Sequence, residues 1–275
     1  MTSSIETYLN FFQTRYFLDL SVYDDAFLQN IINDRRRELA LVTDGEYLNY
    51  LESSVEETAV FKSRLTNSYS EFFRNPITFA YLEQVILPQL IEKKKIRKEK
   101  EIRIWSAACA SGQEAYSLAI LCDELIKYTS ADLTCRIFAT DISQEALDLA
   151  QSGNYQSLSL SKVTLKRVKT YFSLKGENYC IIPEIKSNVD FSVFDLLSDL
   201  GSCPPASIYG NFDLVLCSNL LFYYKPDYRK SIIEKIGNCL AKGGYIITGE
   251  TEREILSENY YREIFVNSAI FQKRR

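Results

Sequence analysis

From Arg103 onward, short apolar runs alternate with segments of helical length, and no other feature of the chain restricts the fold as tightly. IRIWSAA reads as a strand and EAYSLAILCDELIKY as a helix. CRIFATD and SQEALDLAQSG repeat the pair, then come VDFSVFD, FDLVLCS, a helix through YRKSIIEKIGNCLA and a strand at GGYIITGE. Such alternation builds βαβ units around a mainly parallel sheet. Residues 1 to about 90 read differently. Phe27, Ile31, Ile32 and Leu39 recur near a 3.6 period, and Gly45 is the only glycine before position 112. Further helices are expected through EYLNYLESS and, after Pro76, through ITFAYLEQVILPQLIE. The resulting layout is a helical N-terminal domain over 1–90, a charged linker over 91–103 and an α/β domain over 104–275. A helix through LSKVTLKRVKTYF and short strands around NYCIIPEIK predict a small inserted subdomain at about 155–190.

Composition narrows the chemistry. The 275 residues include no histidine, which excludes Ser-His-Asp and Cys-His catalysis and any imidazole acid–base step. The net charge of −4 disfavours binding to nucleic-acid backbones. The run KKKIRKEKEIR is interrupted by acids and reads as a solvated helix end or linker rather than a binding patch. Seven cysteines form no C-x-x-C pair, so neither a disulfide framework nor a metal site is expected, and a reducing cytoplasm is the natural compartment. The N-terminus shows no signal-peptide pattern, and no apolar run approaches the length of a membrane span.

Two turns attract attention. The first strand runs into Ala108-Cys109-Ala110-Ser111-Gly112, directly before a helix. Small residues such as Ala108 and Gly112 let backbone amides approach a ligand closely. The second strand ends at Asp141, placed to bind a ribose diol or to cap the next helix; Ser143 competes for the capping role. Together they point to a nucleoside-type cofactor, without separating a nicotinamide dinucleotide from S-adenosylmethionine.

The ordered motifs then become recognisable. WSAACASGQEAYSLAIL resembles the W-S-A-x-C-S-x-G-E-E-P-Y-S-x-A motif of the CheR family, chemotaxis-receptor methyltransferases that use S-adenosylmethionine to esterify glutamate side chains. LTNSYSEFFRNP is similar to the family's segment ending in F-F-R, and FATDISQEALDLAQSGNY to its A-T-D-I segment. FSVFDLL, FDLVLCSNLLFYYKP and GGYIITGETE resemble its later motifs in order. The resemblance spans roughly Leu65 to Glu252. It implies a Rossmann-like class I methyltransferase domain with a small β-subdomain, preceded by a small all-α domain. It also implies roles. Arg74 would reach from the helical domain into the active site, and Tyr223 would sit near the methyl group. Glu114 would contact the methionine moiety, Asp141 the ribose, and Asp195 and Leu196 the adenine. Asn219, with Ser68, Ser70 and Ser218 at further matched positions, would complete the cofactor site. The chain departs from the family pattern at Gln113, Ala115, Ser218, Lys225, Ser68, Ser70 and Asp195.

An ionised glutamate attacks a sulfonium methyl group directly, so no general base is needed, which suits a chain without histidine. Arg74 can hold the acceptor carboxylate. Arg35, Arg36 and Arg37 are candidates for docking an acidic receptor helix, or else a solvated face. The expected cofactor is S-adenosylmethionine, with S-adenosylhomocysteine as product. The expected partner is a chemoreceptor or related signalling protein, with no nucleic acid, no membrane insertion and a monomeric enzyme. The alternatives are a methyltransferase for another acceptor and a weakly active cofactor-binding scaffold. Phe72, Phe73 and Tyr223 can equally be core aromatics, and Cys217 reads as a buried strand residue.

Overall fold

The computed structural model describes residues 4–66, 69–199, 201–257 and 261–273. The chain divides into two compact units, one made of 1–67 and 221–229 and the other of 68–220 and 230–275.

The first unit is helical: α1 (Ser4–Tyr16), α2 (Asp25–Glu38), α3 (Asp44–Ser53) and α4 (Val55–Leu65). The starts of the last three are set by side-chain caps. Asp24 caps α2, Ser54 caps α4, and Thr43 forms a capping box with Glu46 on α3. The apolar stripe predicted through Ile31 and Ile32 is buried against Phe12, Phe61, Tyr47 and Leu51. The segment 221–229 is held in this unit by backbone pairing. Asp24 N–H donates to Tyr223 O at 2.8 Å, and Lys225 N–H to Val22 O at 3.0 Å.

The second unit begins with α5 (Pro76–Tyr81), a π turn at Leu82–Ile86 and α6 (Leu87–Arg97). Pro88 has no N–H to donate into the preceding turn, and the π turn absorbs that break. There follow β1 (Glu101–Ala107), α7 (Gln113–Tyr128), β2 (Thr134–Asp141), α8 (Gln144–Ser152), β3 (Asn154–Gln156), α9 (Leu165–Tyr171), β4 (Phe172–Lys175), β5 (Asn178–Ile181), α10 (Pro183–Lys186) and β6 (Val189–Val193). The chain continues through β7 (Phe212–Leu216), α11 (Pro226–Cys239), β8 (Leu240–Ile247), α12 (Arg253–Ser257), β9 (Tyr261–Glu263) and β10 (Ile270–Lys273).

Among the described residues, seven strands form one sheet in the order β6-β2-β1-β7-β8-β10-β9. The first five are parallel, and β10 runs antiparallel to both β8 and β9. The order reverses between β1 and β7, so ligands of such sheets bind beyond the carboxyl ends of these strands. Three short strands, β3-β5-β4, form a separate antiparallel sheet within the expected insertion. The fold is the expected α/β class with a Rossmann-like sheet, a small β-subdomain and an N-terminal helical region.

Three expectations of layout change. The helical unit parts from the sheet unit at 67/68, not near 90, because Phe72, Phe79, Leu82, Ile86, Leu87, Leu90 and Ile91 are buried in the sheet unit's core. There is no linker over 91–103: residues through Arg97 complete α6, and Glu101 opens β1. Lys94 within that run is buried between Glu99 and Asp213. In the insertion, the helix expected from Leu160 to Phe172 is confined to α9. Phe172–Lys175 is a strand, paired with β5.

Candidate cofactor and active site

The carboxyl ends of the parallel strands carry seven of the twelve candidate residues. Ala108 and Gly112 follow β1, Asp141 ends β2, Asp195 and Leu196 follow β6, and Ser218 and Asn219 follow β7. Sequence-distant positions thus share one sheet edge because the strands are parallel.

The turn after β1 is built from alternating left-handed residues: Ala108 at φ 56°, Ala110 at 48° and Gly112 at 87°. Such conformations cost alanine about 1–3 kcal/mol each, so surrounding bonds must hold them. Cys109 N–H donates to Thr140 O, Ala110 N–H to the Asp141 carboxylate at 2.8 Å, and Tyr155 O–H to Ser111 O at 2.8 Å. Gly112 answers to packing as well as to backbone angle, since a Cβ there would lie 2.8 Å from the Ala150 Cβ.

Asp141 is buried, and burial pushes its carboxyl above the ordinary range while the Ser143, Ala110 and Ile142 amides pull it down. Ser143 caps α8 through Ala146 N–H, so Asp141 is not the cap. Each of its oxygens accepts one amide, from Ala110 and from Ser143, and keeps accepting capacity.

Glu114 lies in the first turn of α7 and is 8% exposed. Among the described residues no donor forms a hydrogen bond with its carboxylate. Burial is the main cause that raises its pKa to about 7; Arg74 lowers it, while Glu252 and Glu71 raise it further. Arg74 sits over the Tyr69 ring and donates to Tyr69 O at 3.5 Å. Its place in the chain departs from expectation: it belongs to the sheet unit, not the helical one. The preceding Phe72 packs edge-on against Tyr155 and Phe172. Phe73 takes a left-handed φ of 51°, held by its N–H bond to Ser117 Oγ. That hydroxyl also donates to Gln113 O, which ties the F-F-R segment to the start of α7.

Ser70 is buried, and its Oγ has no hydrogen-bond partner among the described residues. Ser68 lies outside the described residues. Asp195 is half-buried, and its carboxylate accepts Leu197 N–H; Leu196 is buried. Ser218 is half-buried. Asn219 has a left-handed φ of 58°, and its N–H donates to Glu252 Oε2 at 2.8 Å. The same oxygen accepts Gly249 N–H at 2.9 Å. Fully buried Glu252 thereby joins the turns after β7 and β8. It was visible in the sequence only as the last acid of GGYIITGETE; its partners are far apart along the chain. Ser117 likewise carried no signal beyond its helix.

A match to the family described as "CheR methyltransferase, SAM binding domain" covers residues 68–270. The chain belongs to the CheR methyltransferase family. It is 30% identical over 243 residues to a chemotaxis protein methyltransferase of Listeria innocua, covering 88% of this chain and 87% of that protein. It is 33% identical over 215 residues to chemotaxis protein methyltransferase 1 of Pseudomonas aeruginosa, covering 77% of this chain and 75% of that one. As a CheR member the chain is an S-adenosylmethionine-dependent methyltransferase. The residues present fit that cofactor. Among the described residues Glu114 is a buried acid with no hydrogen-bonded partner, suited to a cation, and Ser70 offers a buried hydroxyl without one.

The family match begins at residue 68, close to the division between the two units. Tyr223, though inside the matched span, belongs to the helical unit. Its ring packs 4.6 Å from Phe27 and 4.2 Å from Phe222. Lys225, one of the departures from the CheR pattern, pairs with Asp25 at 2.9 Å. The arginine run does not form an open basic face. Arg35 is buried against Glu57, Arg36 pairs with Asp44, and only Arg37 is largely exposed, beside Asp34. Their first task is to hold the helical unit together. Among the described residues no cluster of His, Cys, Asp and Glu could hold a metal ion, and no helix is long and apolar enough to cross a membrane.

Proposed function

We propose that the chain is a protein-glutamate O-methyltransferase that esterifies glutamate side chains of a chemoreceptor or related signalling protein in the cytoplasm, acting as a monomer. The observation that carries this reading is an unsatisfied buried acid, Glu114, within electrostatic range of Arg74 at the start of the helix that follows the first strand of a CheR sheet.

S-adenosylmethionine supplies the methyl group on a cationic sulfonium. Glu114 binds the ammonium of the methionine moiety, exchanging water for a charge-assisted hydrogen bond. Asp141, already oriented by two backbone amides, accepts from the ribose hydroxyls. Leu196 and Asp195 flank the adenine; Ser70, Ala108, Gly112, Ser218 and Asn219 line the remaining contacts. The Arg74 guanidinium makes one hydrogen bond among the described residues, so the rest of its fork of donors is available to orient an acceptor carboxylate. Tyr223 supports the methyl-transfer side; this role rests on its motif position. Every proton stays where it is: the acceptor is ionised, and alignment and desolvation provide the rate.

The test uses the purified protein, radiolabelled S-adenosylmethionine and receptor signalling fragments. Label released as methanol by mild base identifies a methyl ester. Label stable to base identifies another acceptor chemistry and overturns the glutamate assignment. Binding of S-adenosylhomocysteine without transfer to any fragment overturns the enzymatic reading of the acceptor site.

A further inference from the structure

Cys203 and Cys239 lie 36 residues apart in sequence, yet their sulfurs approach to 2.7 Å. A covalent S–S bond is about 2.05 Å. Both belong to the sheet unit. Cys203 is half-buried, in the loop between β6 and β7. Cys239 ends α11 and is 1% exposed. The Cys239 thiol is oriented by Ser202 O, 2.9 Å away. Gly210 leaves room for the pair: a Cβ there would fall 2.8 Å from Cys203 Sγ and 3.3 Å from the Cys239 Cα.

We propose that Cys203 and Cys239 form a reversible redox site, oxidised to a disulfide by a peroxide and reset by a dithiol. Accessibility assigns the roles. Half-buried Cys203 meets the oxidant, and buried Cys239 resolves the product. Burial and the neighbouring sulfur push the Cys239 thiol well above its ordinary range, so it stays protonated until called on. In the first step the Cys203 thiolate attacks a peroxide oxygen. An S–O bond forms, the O–O bond breaks, and the oxygen leaving group takes up a proton, leaving a sulfenic acid. In the second step Cys239 sulfur attacks that sulfur. The S–S bond forms, the S–O bond breaks, and the departing hydroxide takes the Cys239 proton to become water. Two thiols are oxidised and one peroxide is reduced.

The other cysteines do not match this arrangement. Cys122 and Cys135 also lie side by side, but both are buried, so neither can meet an oxidant first; Cys109 and Cys217 are buried too, and half-buried Cys180 points its sulfur at Asn154. The bond would tether the loop that starts at Asp195 and Leu196 to α11. That loop already meets the helix through Lys235, which donates to Ser198 O and lies over the Phe194 ring. The site is independent of the acceptor assignment, because it needs neither cofactor nor receptor.

Peptide mapping of the full-length protein decides the matter. After stoichiometric hydrogen peroxide and alkylation under denaturing conditions, the expected product is a Cys203–Cys239 cross-linked peptide pair that dithiothreitol abolishes. In Cys239→Ser, dimedone should trap a sulfenic acid at Cys203; in Cys203→Ser, Cys239 should remain unlabelled. Absence of the cross-link in the wild-type protein, cross-linking of any other pair, or dimedone on Cys239 would overturn the proposal. The wild-type measurement stands even if a variant fails to fold.

Discussion

Glu57 and Glu114 are both acids removed from water, 4% and 8% exposed, and their surroundings differ completely. In the helical unit, Glu57 receives two hydrogen bonds from Arg35, at 2.8 and 2.5 Å, and a third from Tyr47 at 2.8 Å. Its charge is balanced and its lone pairs are largely used. In the sheet unit, Glu114 has an arginine in electrostatic range and two other acids opposing it. One buried network is complete and the other is open, which is the contrast that the proposed cofactor-binding role of Glu114 requires. The difference also explains why the arginine run of α2 is poor docking material and why Arg74 is available.

The comparison breaks first at Arg35. Arg35→Ala strands the Glu57 charge, and the expected loss is about 3–5 kcal/mol of stability. Thermal unfolding measures it; a variant melting within two or three degrees of wild type means the network is dispensable. Next comes Arg74. Arg74→Ala should slow methyl transfer by roughly 10–1000-fold if it orients the acceptor, with Tyr223→Phe inside the same range. Wild-type rates from either variant remove that residue from the catalytic set.

Glu114→Gln tests the open network from the opposite direction. The folded-state pKa is raised above the usual carboxyl value, so the native state holds the proton more tightly than the unfolded chain. The contribution is complete below about pH 4.5 and is lost as pH rises through about 7. At pH 8 the ionised acid therefore costs the cofactor-free protein up to about 3 kcal/mol. Glu114→Gln should raise the melting temperature of the cofactor-free protein at pH 8 while weakening S-adenosylhomocysteine binding about tenfold or more. A destabilised variant with unchanged affinity would make Glu114 structural, like Glu57. The smallest effect is on pH dependence. Calorimetric affinity for S-adenosylhomocysteine should rise up to tenfold per pH unit below about 7 and level off above it, and the slope should vanish in Glu114→Gln. An unchanged slope in the variant assigns the titration elsewhere.

Much of the architecture was legible because its signals are local. Strand and helix periods announced β1, α7, β2, α8, β7, α11 and β8, and caps such as Ser143 marked their starts. Parallel pairing then brings strand-end residues to one edge; Asp141 was nominated from its strand end, and Asp195 and Asn219 only through the resemblance to the CheR motifs. The short β4 was read as the tail of a helix, because four residues carry too little periodicity to distinguish the two.

What the sequence determined by itself is the alternation of elements, the residue types at the strand ends, and the absence of histidine that confines the chemistry to alignment and charge. Only the tertiary structure decided that 68–97 packs with the sheet, that the Tyr223 segment pairs with α2's entry, that Glu252 joins two turns, and that two cysteines meet. Local patterns are set by neighbours in the chain. Whether a buried charge finds a partner depends on residues dozens or hundreds of positions away, and it is that distant pairing which distinguishes Glu57 from Glu114.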